Sequence, residues 1–205
     1  MITESLLKRF PLITDQVDSR ELGVVLRELE RLLLRGEEGA VVEFGCYAGT
    51  TSLFIRRLID RYQLGNDFHV YDSFQGLPDK TPADESPAGD QFQVGQLSVS
   101  KKDFIREFTR AHLDLPYIHK AWFSQIGSHD VPNLIIFAFL DGDYFESILD
   151  SLRLITPKLA SHAVIVVDDY VNEALPGAAK AVDEWLMHHP GARLRVEASL
   201  AIITL

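Results

Sequence analysis

The sequence predicts a doubly wound α/β fold. Apolar runs of strand length, above all Leu134–Leu140 and Ala163–Val167, read as parallel strands buried on both faces. Between such runs lie segments whose apolar residues recur at helical spacing. Four strands end in acids, Glu43, Asp72, Asp141 and the pair Asp168-Asp169. In an open parallel sheet those ends share the edge that receives ligands.

The elements follow in order. Residues 1–18 are mixed in character and predict a short helix packed on the body, and Glu21–Arg35 predicts an amphipathic helix with Leu22, Val25, Leu26, Leu29, Leu32 and Leu33 inward. Together they make an N-terminal helical segment, 1–36, closed by Gly36. Gly39–Phe44 is the first strand, Thr50–Tyr62 a helix, and Phe68–Tyr71 a second strand ending at Asp72. From Ser73 to Leu97 the chain is rich in Pro, Gly and Asp and has no periodicity. A loop this long inside a compact domain is either functional or a mobile insertion. Its place after a strand end predicts an active-site lid over 73–97. Ser100–Ala111 is the next helix and Tyr117–Phe123 the third strand. Leu134–Leu140 is a central strand, followed by a helix over about Phe145–Leu159, the strand Ala163–Val167 and a helix over Pro176–His188. Arg193–Val196 and Leu200–Leu205 close the chain as a strand pair at the sheet edge, which makes seven strands in a mostly parallel sheet with helices on both faces. No repeat and no linker divides the chain, so 1–205 is expected to be one domain.

The segment Val41–Thr51, VVEFGCYAGTT, is a strand, a glycine turn and a helix start in direct succession. Gly45 and Gly49 let backbone approach a ligand where a side chain would block it. The spacing is not GxGxxG. Tyr47 stands where a pyrophosphate-binding turn would want glycine, which favours a nucleotide-like cofactor without a diphosphate. Asp72, 29 residues after Glu43, is placed to accept hydrogen bonds from the two hydroxyls of a ribose. Glu43 lies beneath the cofactor, where it could accept from an amine or order the turn.

Asp141, Asp168 and Asp169 form a second group. Bare carboxylates at neighbouring strand ends repel, and a hard divalent cation such as Mg²⁺ resolves the repulsion. Helix capping is the plainer use of such acids, and Asp143 could cap the helix that follows it. The seven histidines show no ligand spacing, and neither Ser52 nor Ser73 lies in a GxSxG elbow.

Composition narrows the partners. With 30 acids against 20 Lys and Arg, the chain is a poor candidate for nucleic-acid binding. The longest apolar run is too short to span a bilayer, the N-terminus does not read as a signal peptide, and the single cysteine, Cys46, fits a reducing compartment. A cytoplasmic protein with no membrane partner is expected. The apolar N-terminal helices could supply a homodimer seam or serve as ordinary core cover.

Six motifs together resemble one family. They are VEFGCYAGTTS at 42–52, YDSFQGLPD at 71–79, the segment 98–108, AWF at 121–123, LDGDYFESILDSL at 140–152, and PKL followed by VIVVDDY and PGAAKAVDEW over 157–185. In this order they resemble the macrocin-type O-methyltransferases, the TylF/MycF/NovP-like enzymes that use S-adenosylmethionine to methylate sugar hydroxyls of antibiotics. The resemblance implies a class I, Rossmann-like methyltransferase fold. It implies S-adenosylmethionine held by Glu43, Gly45, Tyr47, Gly49, Thr50, Asp72 and Ser73, and Mg²⁺ held by Asp141, Asp168 and Asp169. It also implies Asp141 as a general base; because Tyr144 stands where more distant catechol-type enzymes place a lysine, Asp141 or metal activation alone must do the deprotonation. The acceptor is expected to be a hydroxylated small molecule, a sugar or another vicinal-diol or catechol-like compound. Family members usually carry a longer N-terminal region and further lid elements, whereas about 40 residues precede the first strand here. A metal-dependent phosphoryl-transfer or hydrolytic enzyme using the same acids, or a non-catalytic cofactor-binding protein, remains the alternative.

Overall fold

The computed structural model describes residues 1–89 and 91–205, so the expected lid falls outside the described residues at Asp90. The order of elements is α1 (Ile2–Arg9), α2 (Ser19–Leu34), β1 (Ala40–Phe44), α3 (Thr50–Tyr62), β2 (Phe68–Asp72), α4 (Lys101–Ala111), β3 (Tyr117–Lys120), β4 (Ile135–Leu140), α5 (Phe145–Ile155), β5 (Leu159–Val167), α6 (Pro176–Met187), β6 (Arg193–Glu197) and β7 (Leu200–Thr204). The strands form one seven-stranded sheet in the order β3-β2-β1-β4-β5-β7-β6. The first five are parallel, and β7 runs antiparallel to both β5 and β6. The chain winds outward from β1 to β3 and then restarts at β4 on the other side of β1. The crevice between β1 and β4 is therefore the switch point at which such sheets bind ligands.

Alternate strand residues build two separate cores. Val41, Val70, Phe137, Phe139, Val164 and Ile202 face the layer of α1, α2, α3 and α4. Val42, Tyr71, Ala138, Leu140, Ile165 and Ile203 face α5 and α6. Because both faces are covered, the central strands read in sequence as continuous rather than alternating apolar runs.

Helix starts are chemically marked. Asp18 caps α2, its Oδ1 accepting from Arg20 N at 2.6 Å and Glu21 N at 2.8 Å. Ser100 caps α4, and Pro176 opens α6. The amino end of α1 is fastened to α2 by the buried Glu30, which accepts from Ile2 N, Thr3 N, Thr3 Oγ1 and Tyr62 Oη. Burial works against ionisation of Glu30, but these hydrogen bonds outweigh it and hold the carboxyl below its ordinary value.

Three boundaries differ from the sequence expectation by three residues or more. β3 ends at Lys120 rather than Phe123, because Phe123 turns back in a 3-10 helix, Phe123–Gln125, to meet Phe44 edge-on at 5.4 Å. α5 stops at Ile155, where Pro157 forces a 3-10 turn over Thr156–Lys158. β5 consequently starts at Leu159 instead of Ala163.

The long loop after β2 has a closed base. Leu77 N donates to Gln96 O and Gly95 N to Leu77 O, both at 2.9 Å. Leu77, Phe92 and Leu97 pack with Tyr144 and Leu175 in a small apolar cluster of their own.

Candidate active site

A cavity of about 340 Å³ opens at the carboxyl ends of β1, β2, β4 and β5. Its floor is polar. Its walls carry Leu77, Pro78, Phe92, Leu97, Trp122, Phe123 and Leu175. Of the residues the sequence nominated, Glu43, Gly45, Tyr47, Thr50, Asp72, Ser73, Asp141, Asp168 and Asp169 line it, while Gly49 is the N-cap of α3, next to the lining residue Thr50.

The turn after β1 has little freedom. Gly45, at φ 85°, donates its N–H to Tyr71 O. A Cβ on Gly45 would run into the carbonyl oxygen of Asp141, so only glycine lets β1 pass the end of β4. Gly49, at φ 92°, leaves room for the Phe104 ring, which a Cβ would meet at 2.9 Å. Between them Tyr47 holds φ 45°, a left-handed conformation that costs a non-glycine residue about 1–2 kcal/mol. Asp72 fastens the turn from the neighbouring strand. Its Oδ2 accepts from Cys46 N at 2.9 Å and Tyr47 N at 3.2 Å, with Cys46 Sγ at 3.4 Å, and its Oδ1 accepts from Phe74 N at 2.6 Å. A carboxylate offers about four acceptor positions, so most of those on Asp72 are already in use. Ser73 lines the cavity, but its hydroxyl accepts from Gln75 N and donates to Gly76 O, which commits it to the loop.

Glu43 is buried and accepts from Ser52 Oγ at 2.5 Å. Burial drives its pKa up to about 8, the Ser52 bond opposes the shift, and the charge of Asp72 adds to it. At neutral pH this group is mostly protonated. Thr50, the first residue of α3, shares a 3.0 Å hydroxyl contact with Thr14. That contact draws Thr14–Val17, the connection between α1 and α2, onto the cavity rim.

The second half of the floor is a group of carboxylates. Asp141, Asp143 and Asp169 can place one oxygen each within 4.8 Å of one another. Two of them sit on left-handed backbone, Asp143 at φ 60° and Asp169 at φ 57°, a strain that clusters at functional sites. Asp143 therefore turns into the cavity and does not cap α5; the first amide of that helix, Phe145 N, is taken by Asp84 at 2.7 Å. Asp168 lies outside this group of three, its Oδ1 accepting from Asp169 N at 2.9 Å. Asn172 donates to Asp169 Oδ1 at 2.7 Å. Burial first, and then mutual repulsion, raises Asp141, Asp143 and Asp168 well above the carboxylate range. Asp169 is raised by burial against the opposing Asn172 bond. Glu21, in the first turn of α2, adds a further negative charge near Asp168 and Asp169. Three oxygen donors at this spacing, with no Lys, Arg or His among the described lining residues, fit a hard divalent cation.

Sequence reading missed Asp143, Glu21, Asn172 and the 14–17 segment. Only Asp143 had a visible signal, the Asp-Gly-Asp run after β4. The others reach the site from elements that the strand-end logic does not address.

Comparison with known proteins agrees with this picture. The family described as Macrocin-O-methyltransferase (TylF) matches residues 16–192. A tetracenomycin 4'-O-methyltransferase of Streptomyces olivaceus, named for its 8-demethyl-8-(2,3-dimethoxy-α-L-rhamnosyl) acceptor, is 28% identical over 153 residues, which are 71% of this chain and 58% of the relative. A mycinamicin III 3''-O-methyltransferase of Micromonospora griseorubida is 27% identical over 170 residues, 78% of this chain and 65% of the relative. The chain thus spans about 58–65% of the length of these curated relatives. Among solved structures, the O-methyltransferase NovP superposes with TM-score 0.77 at 23% identity, covering 89% of this chain and 78% of that one. A calicheamicin methyltransferase superposes with TM-score 0.73 at 19% identity, covering 99% and 90%. The fold is that of the class I S-adenosylmethionine-dependent methyltransferases.

Proposed function

The chain belongs to the macrocin-O-methyltransferase family, and from that premise we propose that it transfers the methyl group of S-adenosylmethionine to a hydroxyl oxygen of an uncharged, hydroxylated small molecule. The observation that carries this reading is the two-part floor of one cavity, a fastened glycine turn with Asp72 beside three carboxylates that can place their oxygens within 4.8 Å of one another.

S-adenosylmethionine supplies an electrophilic methyl group on a sulfonium. The turn 45–49 gives it backbone to lie against, and Asp72 keeps an acceptor position for a ribose hydroxyl. Glu43 lies beneath as a mostly neutral group, able to donate as well as accept.

A divalent cation such as Mg²⁺, when bound, supplies Lewis acidity that lowers the pKa of a hydroxyl and orients its oxygen. Asp141, Asp143 and Asp169 are the residues that would hold it, and Asp168 stands next to them in reserve. Asp141 is also the group to accept the departing hydroxyl proton, since Tyr144 offers no amine. The loop 73–97 acts as the lid: Leu77, Pro78, Phe92 and Leu97 exclude water from the reacting groups.

The lining also bears on the acceptor. Asp15, Glu21, Glu43, Asp72, Asp141, Asp143, Asp168 and Asp169 all face the cavity, and no described lining residue is a cation. A phosphate-bearing acceptor would meet that field with no side-chain cation to pair with, leaving a bound divalent cation as its counter-charge. A neutral glycoside or phenol with two adjacent hydroxyls would not, and its apolar part can lie on Trp122, Phe123 and the lid. The tetracenomycin relative is named for a rhamnosyl-bearing acceptor, which agrees with such an acceptor.

A mass-spectrometric screen of glycosides, free sugars, catechols and sugar nucleotides with S-adenosylmethionine, with and without Mg²⁺, tests the proposal. A 14 Da gain on neutral diols that depends on the metal is the expected result. Failure of S-adenosylhomocysteine to bind in a calorimetric titration would return the acids to phosphoryl transfer or hydrolysis.

A further inference from the structure

Asp84 belongs to no part of the chemistry described so far, yet it is 2% exposed in an otherwise polar loop. It is held by N–H and O–H donors rather than by a cation. Its Oδ2 accepts from Thr81 N at 2.8 Å and Thr81 Oγ1 at 2.7 Å, and its Oδ1 accepts from Phe145 N at 2.7 Å. The first two bonds close the 3-10 turn Pro82–Asp84 on itself. The third crosses 61 residues to the amino end of α5. The carboxylate also lies against the first turn of α6, where a Cβ on Gly177 would overlap Asp84 Oδ1 and approach Phe145 N to 2.6 Å. Two helix amino ends thus converge on one buried anion, the polarity that helix dipoles favour.

The place of that contact matters more than its strength. Phe145 N ends the short turn that begins at Asp141 and carries Asp143 on left-handed backbone. Tyr144 N donates to Gly142 O within the same turn. The loop grips this turn a second time through Tyr144 Oη, which donates to Phe92 O at 2.5 Å. Nearby, Lys180 Nζ donates to Ala83 O at 2.5 Å, and Ser86 Oγ donates to Glu173 O. The segment around Asp84 is thereby seated on the two connections, β4–α5 and β5–α6, that present Asp143 and Asp169.

We propose that Asp84 is a positioning residue that fastens the loop after β2 to the β4–α5 turn and so sets where Asp143 stands among the site carboxylates. It touches neither cofactor nor acceptor. When Asp84 leaves Phe145 N, the turn loses its outer tether and Asp143 loses its fixed distance to Asp141 and Asp169.

Residue-resolved hydrogen exchange on the full chain tests this, together with titration by Mn²⁺ alone, followed by its spin-resonance signal. Loss of one such bond is worth about tenfold in an equilibrium, so Asp84→Ala should speed exchange at Tyr144 and Phe145 by about tenfold while β1 and β4 stay protected. Mn²⁺ affinity should fall about tenfold, with S-adenosylhomocysteine affinity held within about twofold. Asp84→Asn keeps one oxygen for Phe145 N and should restore most of the protection and of the Mn²⁺ signal. Unchanged exchange at Tyr144, or acceleration spread equally through β1 and β4, overturns the proposal, as does unchanged Mn²⁺ affinity beside loosened exchange. The Mn²⁺ readout rests on the cation reading given above. If the wild-type chain takes up no Mn²⁺, that reading falls and the exchange pattern alone decides on Asp84. Should Asp84→Ala not fold, Gly177→Ala and Asp84→Ser decide together. The added Cβ of Gly177→Ala would displace the Asp84 carboxylate and crowd Phe145 N alike, so it is read beside Asp84→Ser, whose shorter side chain releases Phe145 N without clashing; wild-type exchange at Tyr144 in Asp84→Ser overturns the proposal.

Discussion

The two halves of the cavity floor differ in how completely their carboxylates are met by donors. On the β1–β2 side, Asp72 and Glu43 are met by donors from their own chain: Cys46 N, Tyr47 N and Phe74 N for the first, Ser52 Oγ for the second. On the β4–β5 side, Asp168 and Asp169 are met by Asp169 N and Asn172, but Asp141 and Asp143 receive no side-chain hydrogen bond among the described residues, and burial first, then the neighbouring acids, raises both pKa values. One half is finished by folding. In the other, folding supplies Asp141 and Asp143 with no donor among the described residues, and their mutual repulsion is relieved either by protonation or by a bound cation. On the proposed reading, the difference separates a surface formed in advance for a ligand from one that a bound cation would complete.

The largest effect should come from the unfinished half. Asp141→Asn or Asp169→Asn is expected to lower methyl transfer by about a thousandfold or more, the scale of losing a metal's charge stabilisation, with S-adenosylhomocysteine affinity nearly unchanged. Steady-state assays paired with calorimetry check both. Asp143→Asn should cost more activity than Asp168→Asn, because Asp168 is tied to Asp169 N; the reverse ranking would move the third ligand to Asp168.

The finished half should respond in the opposite sense. Asp72→Ala is expected to weaken S-adenosylhomocysteine binding by about tenfold to a hundredfold, the range for losing bonds to a charged acceptor. The loss should reach the upper end, since the same change frees the turn amides at Cys46 and Tyr47. A calorimetric loss below about threefold would break the contrast between the halves.

Stability against pH sharpens the comparison further. A carboxyl with a raised folded pKa binds its proton more tightly in the folded state. Its stabilising contribution is complete below the ordinary value and is lost as pH rises through the folded one. For Glu43 that window runs from about 4.5 to about 8. In EDTA the melting temperature should therefore fall between pH 5 and pH 8. Glu43→Gln should flatten part of the fall, and Mg²⁺ should offset the part owed to the other acids. A melting temperature that rises with pH in EDTA would contradict the buried-acid picture.

The smallest effect belongs to the rim. Thr14→Val removes a half-buried hydroxyl contact worth about 0.5–1.5 kcal/mol and should weaken S-adenosylhomocysteine binding by about threefold, measured in the same titration.

What could be read in advance follows the range of the interactions involved. The helical spacing of Leu22 to Leu33, the uninterrupted apolar run before Asp141 and the glycines around Cys46 are local patterns, and the elements stand where these place them. The acids at strand ends were legible because parallel strands bring their ends to one edge whatever the details of packing. Asp143 was visible only as part of the Asp-Gly-Asp run, and its turn into the cavity was not, because that depends on a left-handed φ that a non-glycine residue rarely adopts. Asp84 lay hidden among the polar residues of an aperiodic loop, its partner 61 residues away. Glu21 sits on a helix whose apolar face announces core packing, with nothing to show that its first turn overlooks the cavity.

The missing side chain at Gly45 has a bearing on protein engineering. Its Cα lies so close to the carbonyl of Asp141 that even a methyl group has no room. A designer who wished to exchange the cofactor turn for that of another enzyme, or to recombine gene fragments at a crossover between β1 and β4, would have to carry both strand ends together. The nucleotide-facing and acid-bearing parts are inherited as one block, and libraries that shuffle them separately should be poor in folded members.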